Sequence, residues 1–117
     1  MKAKTRVAVL VSGGGTNLQA LIDAQAAGRL PDGELCAVIS NKKGAFALTR
    51  AEEAGIPAFT VTKKASGGSQ EAFEAALNDV LDACGAQLIV LAGFLAILSA
   101  AFTARWRDRI VNIHPSL

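Results

Sequence analysis

The run Arg6-Val-Ala-Val-Leu-Val11, followed by Ser12-Gly-Gly-Gly-Thr-Asn17 and then by apolar positions at Leu18, Leu21 and Ile22, decides the fold. Its first part is short and β-branched, as a buried strand requires. Its last part has the three- and four-residue spacing of a helix face. The glycines between them make the turn, so the unit reads strand, glycine turn, helix.

Working outward, Gly28 and Pro31 close the first helix, and Leu35-Cys-Ala-Val-Ile39 predicts a second strand. A second helix spans Ala45 to Ala54 and ends at Gly55 and Pro57. The pattern repeats with a strand at Ala58–Val61, a polar loop at Lys63–Gly68 and a helix from Ser69, its N-cap, to about Cys84. Phe73, Ala76, Leu77, Val80 and Leu81 share one face of that helix. Gln87–Leu91 predicts a fourth strand, Ser99–Trp106 a short helix, and Ile110–Ile113 a fifth strand cut off by Pro115. Alternating strands and helices call for right-handed crossovers and a mostly parallel sheet covered on both faces. The expectation is an open doubly wound α/β domain, Rossmann-like, over residues 1–117, with Leu88–Leu91 as a central buried strand.

Composition fits one globular domain: 117 residues, 51% hydrophobic and 19% charged. A net charge of +2, basic residues in short scattered groups, 5% aromatics and no tyrosine argue against a nucleic-acid partner. Cys36 and Cys84 stand in apolar surroundings without a Cys-x-x-Cys or Cys/His grouping, so both read as buried thiols and no metal site is expected. Leu88–Phe102, about fifteen residues interrupted by Gly93 and Ser99, is too short for a membrane span. The N-terminal apolar run stops at the glycines without a cleavage-site pattern, so a cytoplasmic location is expected.

In a doubly wound sheet, ligands bind beyond the carboxyl ends of the strands. After the first strand, Ser12–Asn17 offers close backbone approach and the free amides of a helix start, a seat for one phosphate group. The loop is not a Walker A sequence, and Leu18 stands where a dinucleotide fingerprint has its third glycine. Three glycines can also be merely a tight turn, and Lys42 and Lys43 leave an NADP-like ligand open as a minor alternative. After the fourth strand, Leu91-Ala-Gly-Phe-Leu-Ala-Ile-Leu98 is apolar beyond strand length, with Ala92-Gly93 at a bend. Part of it must pack in the core; the rest offers main chain and Leu95 and Ile97 to a planar heterocycle. On the fifth strand the i, i+2 spacing of Asn112 and His114 puts both on one face, with Cα atoms about 6 to 7 Å apart. A carboxamide and an imidazolium converging on one oxygen make an oxyanion site for acyl transfer. His114 is the chain's single histidine, and no serine or cysteine has a nucleophile's sequence context.

Taken together, VLVSGGGTNLQALIDA, VISNKKGAFALTRAEEAGIP, LIVLAGFLAILS and RIVNIHPSL, in this order, resemble the phosphoribosylglycinamide formyltransferases of purine biosynthesis over the whole chain. The resemblance implies that Gly15, Thr16 and Asn17 hold the phosphate of glycinamide ribonucleotide. It implies that Leu95, Ala96, Ile97 and Leu98, with Asn112, bind 10-formyltetrahydrofolate, largely through main chain. Asn112 and His114 would then be catalytic, with no metal. Two positions depart from the family: Gln70 stands for a frequent arginine and Ala96 for a frequent basic residue. The family also carries a catalytic aspartate in a further C-terminal part, which Asp79, Asp82 and Asp108 do not match. The implied expectation is that the chain stops after its fifth strand short of that part, self-associates, and turns over slowly if at all. Related folate-dependent formyltransferases and deformylases share the Asn-x-His pattern, and a non-catalytic phosphosugar-binding domain is a further alternative.

Overall fold

The computed structural model describes residues 4–113, which form five strands and four helices. In chain order they are β1 (Thr5–Val11), α1 (Thr16–Ala26), β2 (Gly33–Ser40), α2 (Phe46–Glu53), β3 (Ala58–Thr60), α3 (Gln70–Ala83), β4 (Leu88–Ala92), α4 (Ala100–Arg105) and β5 (Ile110–Ile113). The strands make one parallel sheet in the order β3-β2-β1-β4-β5. The chain winds from β1 outward to β3, crosses back, and continues through β4 to β5. The reversal of strand order therefore lies between β1 and β4, where a doubly wound sheet opens its ligand crevice.

Both faces of the sheet are covered, which explains why β1 is apolar without alternation. Ala8 and Leu10 point into one core with Ile39, Phe73, Leu77, Leu81, Phe102 and Trp106. Val9 and Val11 point into the other with Leu18, Ile22, Val38, Ala47 and Ala51. These are the α3/α4 and α1/α2 faces respectively. Fully buried side chains such as Leu10, Leu18 and Leu77 each contribute about 1.5–3 kcal/mol of transfer free energy. The Trp106 indole N–H, buried with its ring, donates to Asn78 Oδ1 at 2.9 Å.

Three details differ from the sequence reading. The middle of the sheet is β1, not Leu88–Leu91: β4 lies one strand out, and Leu88 and Leu91 are half-buried. β4 also runs one residue further, to Ala92, before Gly93 turns the chain at a φ of 69°. Cys84 caps α3 and is half-buried, whereas Cys36 is buried; burial pushes both thiols up, against the pull of Arg6. Neither is poised as a nucleophile at neutral pH.

Candidate active site

The glycine loop Ser12–Asn17 is held by β1, α1 and α2. Helix α1 starts on Gly15, whose carbonyl accepts from Gln19 N at 2.8 Å and whose φ of 81° no β-branched residue adopts cheaply. A Cβ added there would lie 2.7 Å from Ala47 Cβ and 3.0 Å from Ala47 Cα, so Gly15 is the contact surface between α1 and α2. At Gly13 and Gly14 a Cβ would meet nothing within 4 Å. The sequence reading places a phosphate at Gly15, Thr16 and Asn17; the structure adds that Gly15 packs against Ala47, whereas Gly13 and Gly14 beside it face open space.

No side chain caps the first turn of α1, whereas the hydroxyls of Ser69 and Ser99 accept from Ala72 N and Phe102 N to cap α3 and α4. Helix α2 also lacks a side-chain cap, but its Ala47 N–H donates to Gly13 O at 3.2 Å. The free amides and positive dipole end of α1 thus face a cavity of about 230 Å³ lined by Gly13–Asn17, Ala92 and Gly93. Arg50 on α2 secures the loop, its Nε donating to Gly14 O at 2.7 Å and its Nη1 to Gln19 Oε1 at 3.1 Å. Its guanidinium lies 4.8 Å from the centre of the Phe46 ring, one helical turn away. The sequence reading missed Arg50, since its partners are 36 and 31 residues away.

The second loop, between β4 and α4, alternates. Phe94, Ala96 and Leu98 pack on the α3/α4 core, while Leu95 and Ile97 are 75% and 84% exposed. Three anchors hold its main chain. Leu95 N donates to the buried Ser12 hydroxyl at 2.8 Å, and Gln70 Nε2 donates to Ile97 O at 2.9 Å. Glu74, 8% exposed, accepts from Ser99 N at 2.7 Å, from Ser99 Oγ at 2.5 Å and from Gln70 Nε2 at 2.8 Å. Burial pushes the Glu74 carboxyl up, but the bonds from the Ser99 hydroxyl, the Ser99 amide and Gln70 outweigh it and hold it below the usual range. Beside the loop is a cavity of about 330 Å³, lined by Asn41, Lys63, Gln70, Phe73 and Leu95–Ile97. Gln70 therefore acts here as a tie to the loop, a role its sequence context did not disclose.

Asn112 is exposed on β5 and pairs with Leu91 in the sheet register. Ile110 packs in the α3/α4 core and Ile113 against the α1/α2 core, so strand alternation places Asn112 on the α3/α4 side. That is the side on which Phe94, Ala96 and Leu98 pack. His114 lies outside the described residues. Among the described residues no group of three or more His, Cys, Asp or Glu is arranged to hold a metal ion, and no helix is long and apolar enough to cross a membrane. Asp82 is paired with Arg105 at 2.9 Å near the far end of α3, and Asp108 precedes β5 at the amino end of that strand, so neither approaches Asn112. Lys42 and Lys43 are exposed.

The fold and site together define a doubly wound parallel α/β domain with an amide-lined cavity and a clamped apolar loop at its switch point. The chain belongs to the formyl transferase family, whose model matches residues 5–117. It is 49% identical over 115 residues to the trifunctional purine biosynthetic protein adenosine-3 of Drosophila melanogaster, covering 97% of this chain and 8% of that protein. It is 45% identical to the phosphoribosylglycinamide formyltransferase of Haemophilus influenzae, over 96% of this chain and 52% of the other. Among solved structures, glycinamide ribonucleotide transformylase 1 of Symbiobacterium toebii superposes with a TM-score of 0.89 at 41% identity, over 97% of this chain and 53% of the other. The chain thus spans about half the length of the bacterial relatives it matches.

Proposed function

We infer that this chain carries the phosphate- and folate-binding part of a phosphoribosylglycinamide formyltransferase, a cytoplasmic enzyme of purine biosynthesis. The observation that carries the reading is the juxtaposition at one sheet edge of the uncapped start of α1 and the clamped Leu95–Leu98 main chain. Relatives named phosphoribosylglycinamide formyltransferase and glycinamide ribonucleotide transformylase, at 45% and 41% identity, support the choice of substrates.

In this reading the Gly15–Asn17 amides take the phosphate of glycinamide ribonucleotide, with the α1 dipole favouring its charge. Leu95, Ala96, Ile97 and Leu98 take the heterocycle of 10-formyltetrahydrofolate on exposed main chain, with Leu95 and Ile97 shielding its rings. The formyl carbon then lies near the end of β5. The substrate amine attacks that carbon, the bond from the carbon to the folate nitrogen breaks, and the proton lost by the amine ends on that nitrogen. Asn112 and protonated His114 donate to the oxygen on which negative charge gathers. No covalent enzyme intermediate and no metal enters this scheme.

Ligand binding is the direct test. The chain is titrated separately with glycinamide ribonucleotide, tetrahydrofolate and NADPH by calorimetry. Binding of the first two and not the third is expected; binding of NADPH alone, or of no folate, would reject the reading in favour of a nucleotide or phosphosugar module. In a form of the protein that turns over, Asn112→Ala and His114→Ala should each lower kcat by about 10²-fold or more, the usual cost of losing an oxyanion donor.

A further inference from the structure

Three stretches distant in sequence meet at one oxygen. The Ser12 side chain, 2% exposed at the end of β1, accepts the Leu95 N–H at 2.8 Å and donates its own proton to Asn41 Oδ1, just past β2, at 2.6 Å. We propose that Ser12 is a positioning residue that presets the main chain of Leu95–Leu98 for the heterocycle while standing at the first position of the phosphate loop. The proposal rests on the functional reading above and assigns a role to a residue that neither substrate touches.

Packing alone does not fix Leu95. Its side chain is 75% exposed, and Gly93, two residues earlier, turns the chain in a left-handed conformation that is cheap only for glycine. At the other end of the loop, Gln70 fixes Ile97 O and Glu74 fixes Ser99 N. Ser12 supplies the anchor at the near end, and the main chain left between the two anchors is the segment assigned to the ligand.

A hydroxyl suits this place because it accepts and donates at once. The bonds form a chain, from Leu95 N–H to Ser12 O–H to Asn41 Oδ1, in which each link polarises the next. Alanine would leave both the Leu95 donor and the Asn41 acceptor without this partner. The same geometry explains why Ser12 is no nucleophile: its proton is committed to an amide oxygen, which is not a base. The Asn41 backbone strengthens the junction by donating to Val11 O at 3.3 Å.

The test compares wild type, Ser12→Ala and Asn41→Ala for binding of tetrahydrofolate and of glycinamide ribonucleotide, with amide hydrogen exchange at Leu95 read in the ligand-free protein. In Ser12→Ala, loss of both hydrogen bonds of the buried hydroxyl should weaken tetrahydrofolate by about 10-fold or more and speed Leu95 exchange. Glycinamide ribonucleotide affinity should stay within about 3-fold, since the α1 amides are untouched. Asn41→Ala, which removes the far end of the chain and leaves the Leu95–Ser12 bond in place, should show the same selectivity with a smaller loss. It carries the test alone if Ser12→Ala does not fold. Tetrahydrofolate affinity unchanged in the folded variants, or both ligands weakened equally, would overturn the proposal and leave the functional reading intact. Failure of the wild-type chain to bind tetrahydrofolate would overturn the functional reading itself, and the proposal with it.

Discussion

The two loops that face each other at the switch point solve opposite problems. Ser12–Asn17 is fixed from behind, by Gly15 against Ala47 and by Arg50 on Gly14 O, and presents unspent backbone donors. Phe94–Ser99 is fixed by side chains gripping its backbone, and presents aliphatic surface at Leu95 and Ile97 beside the ungripped main chain. The comparison shows that a loop at the switch point need not be rigid through its own sequence. The first borrows order from a glycine's lack of a side chain, the second from a buried carboxylate and a buried hydroxyl.

The sharpest way to break the comparison is to treat the three glycines alike. Gly15→Val adds branching at a positive φ and a clash with Ala47, and should destabilise the fold by about 3 kcal/mol or more, read as a shifted denaturant midpoint. Gly14→Ala should change stability by less than about 1 kcal/mol yet weaken glycinamide ribonucleotide, because its Cβ points into open space where the phosphate would sit. Equal stability losses in the two variants would show that the loop is held differently.

For the second loop, Glu74→Ala strips the acceptor from Ser99 N and Gln70 Nε2 and should cost about 2–3 kcal/mol, with tetrahydrofolate binding lost before glycinamide ribonucleotide binding. A milder form of the same perturbation is acid. Because the folded Glu74 carboxyl titrates below its ordinary range, its contribution to stability is fully present above that range and disappears as pH falls through the lowered value. Wild type should therefore lose more stability than Glu74→Gln over that acidic window, and the two curves should run parallel near neutrality. The smallest effect is expected at the exposed pair Lys42 and Lys43, where a double alanine variant should leave both ligand affinities within about 2-fold.

Most of the architecture was legible in the sequence. The change from β-branched runs to helical spacing gave every element to within a few residues, and Ser69 announced the start of α3. The amides of α1 and the exposed half of the apolar loop were legible too, because both follow from what glycine and alternating apolar residues do locally. Asn112 was placed at the carboxyl end of β5 by strand periodicity alone. The anchors were not legible. Ser12 to Leu95 spans 83 residues, Arg50 to Gly14 spans 36, and Gln70 to Ile97 spans 27. Serine, arginine and glutamine occur so freely on surfaces that nothing local distinguishes a tie from a solvated side chain.

The sequence by itself thus determined the alternation of strands and helices, the parallel sheet and the edge at which ligands are sought, since these follow from periodicity and crossover handedness. Only the tertiary structure decided which glycine is packed and which are free, which hydroxyl is buried, and which carboxylate is buried among hydrogen-bond donors. Each of those properties belongs to a contact between segments far apart in the chain. Such contacts exist only after β1, β2 and β4 have been brought side by side.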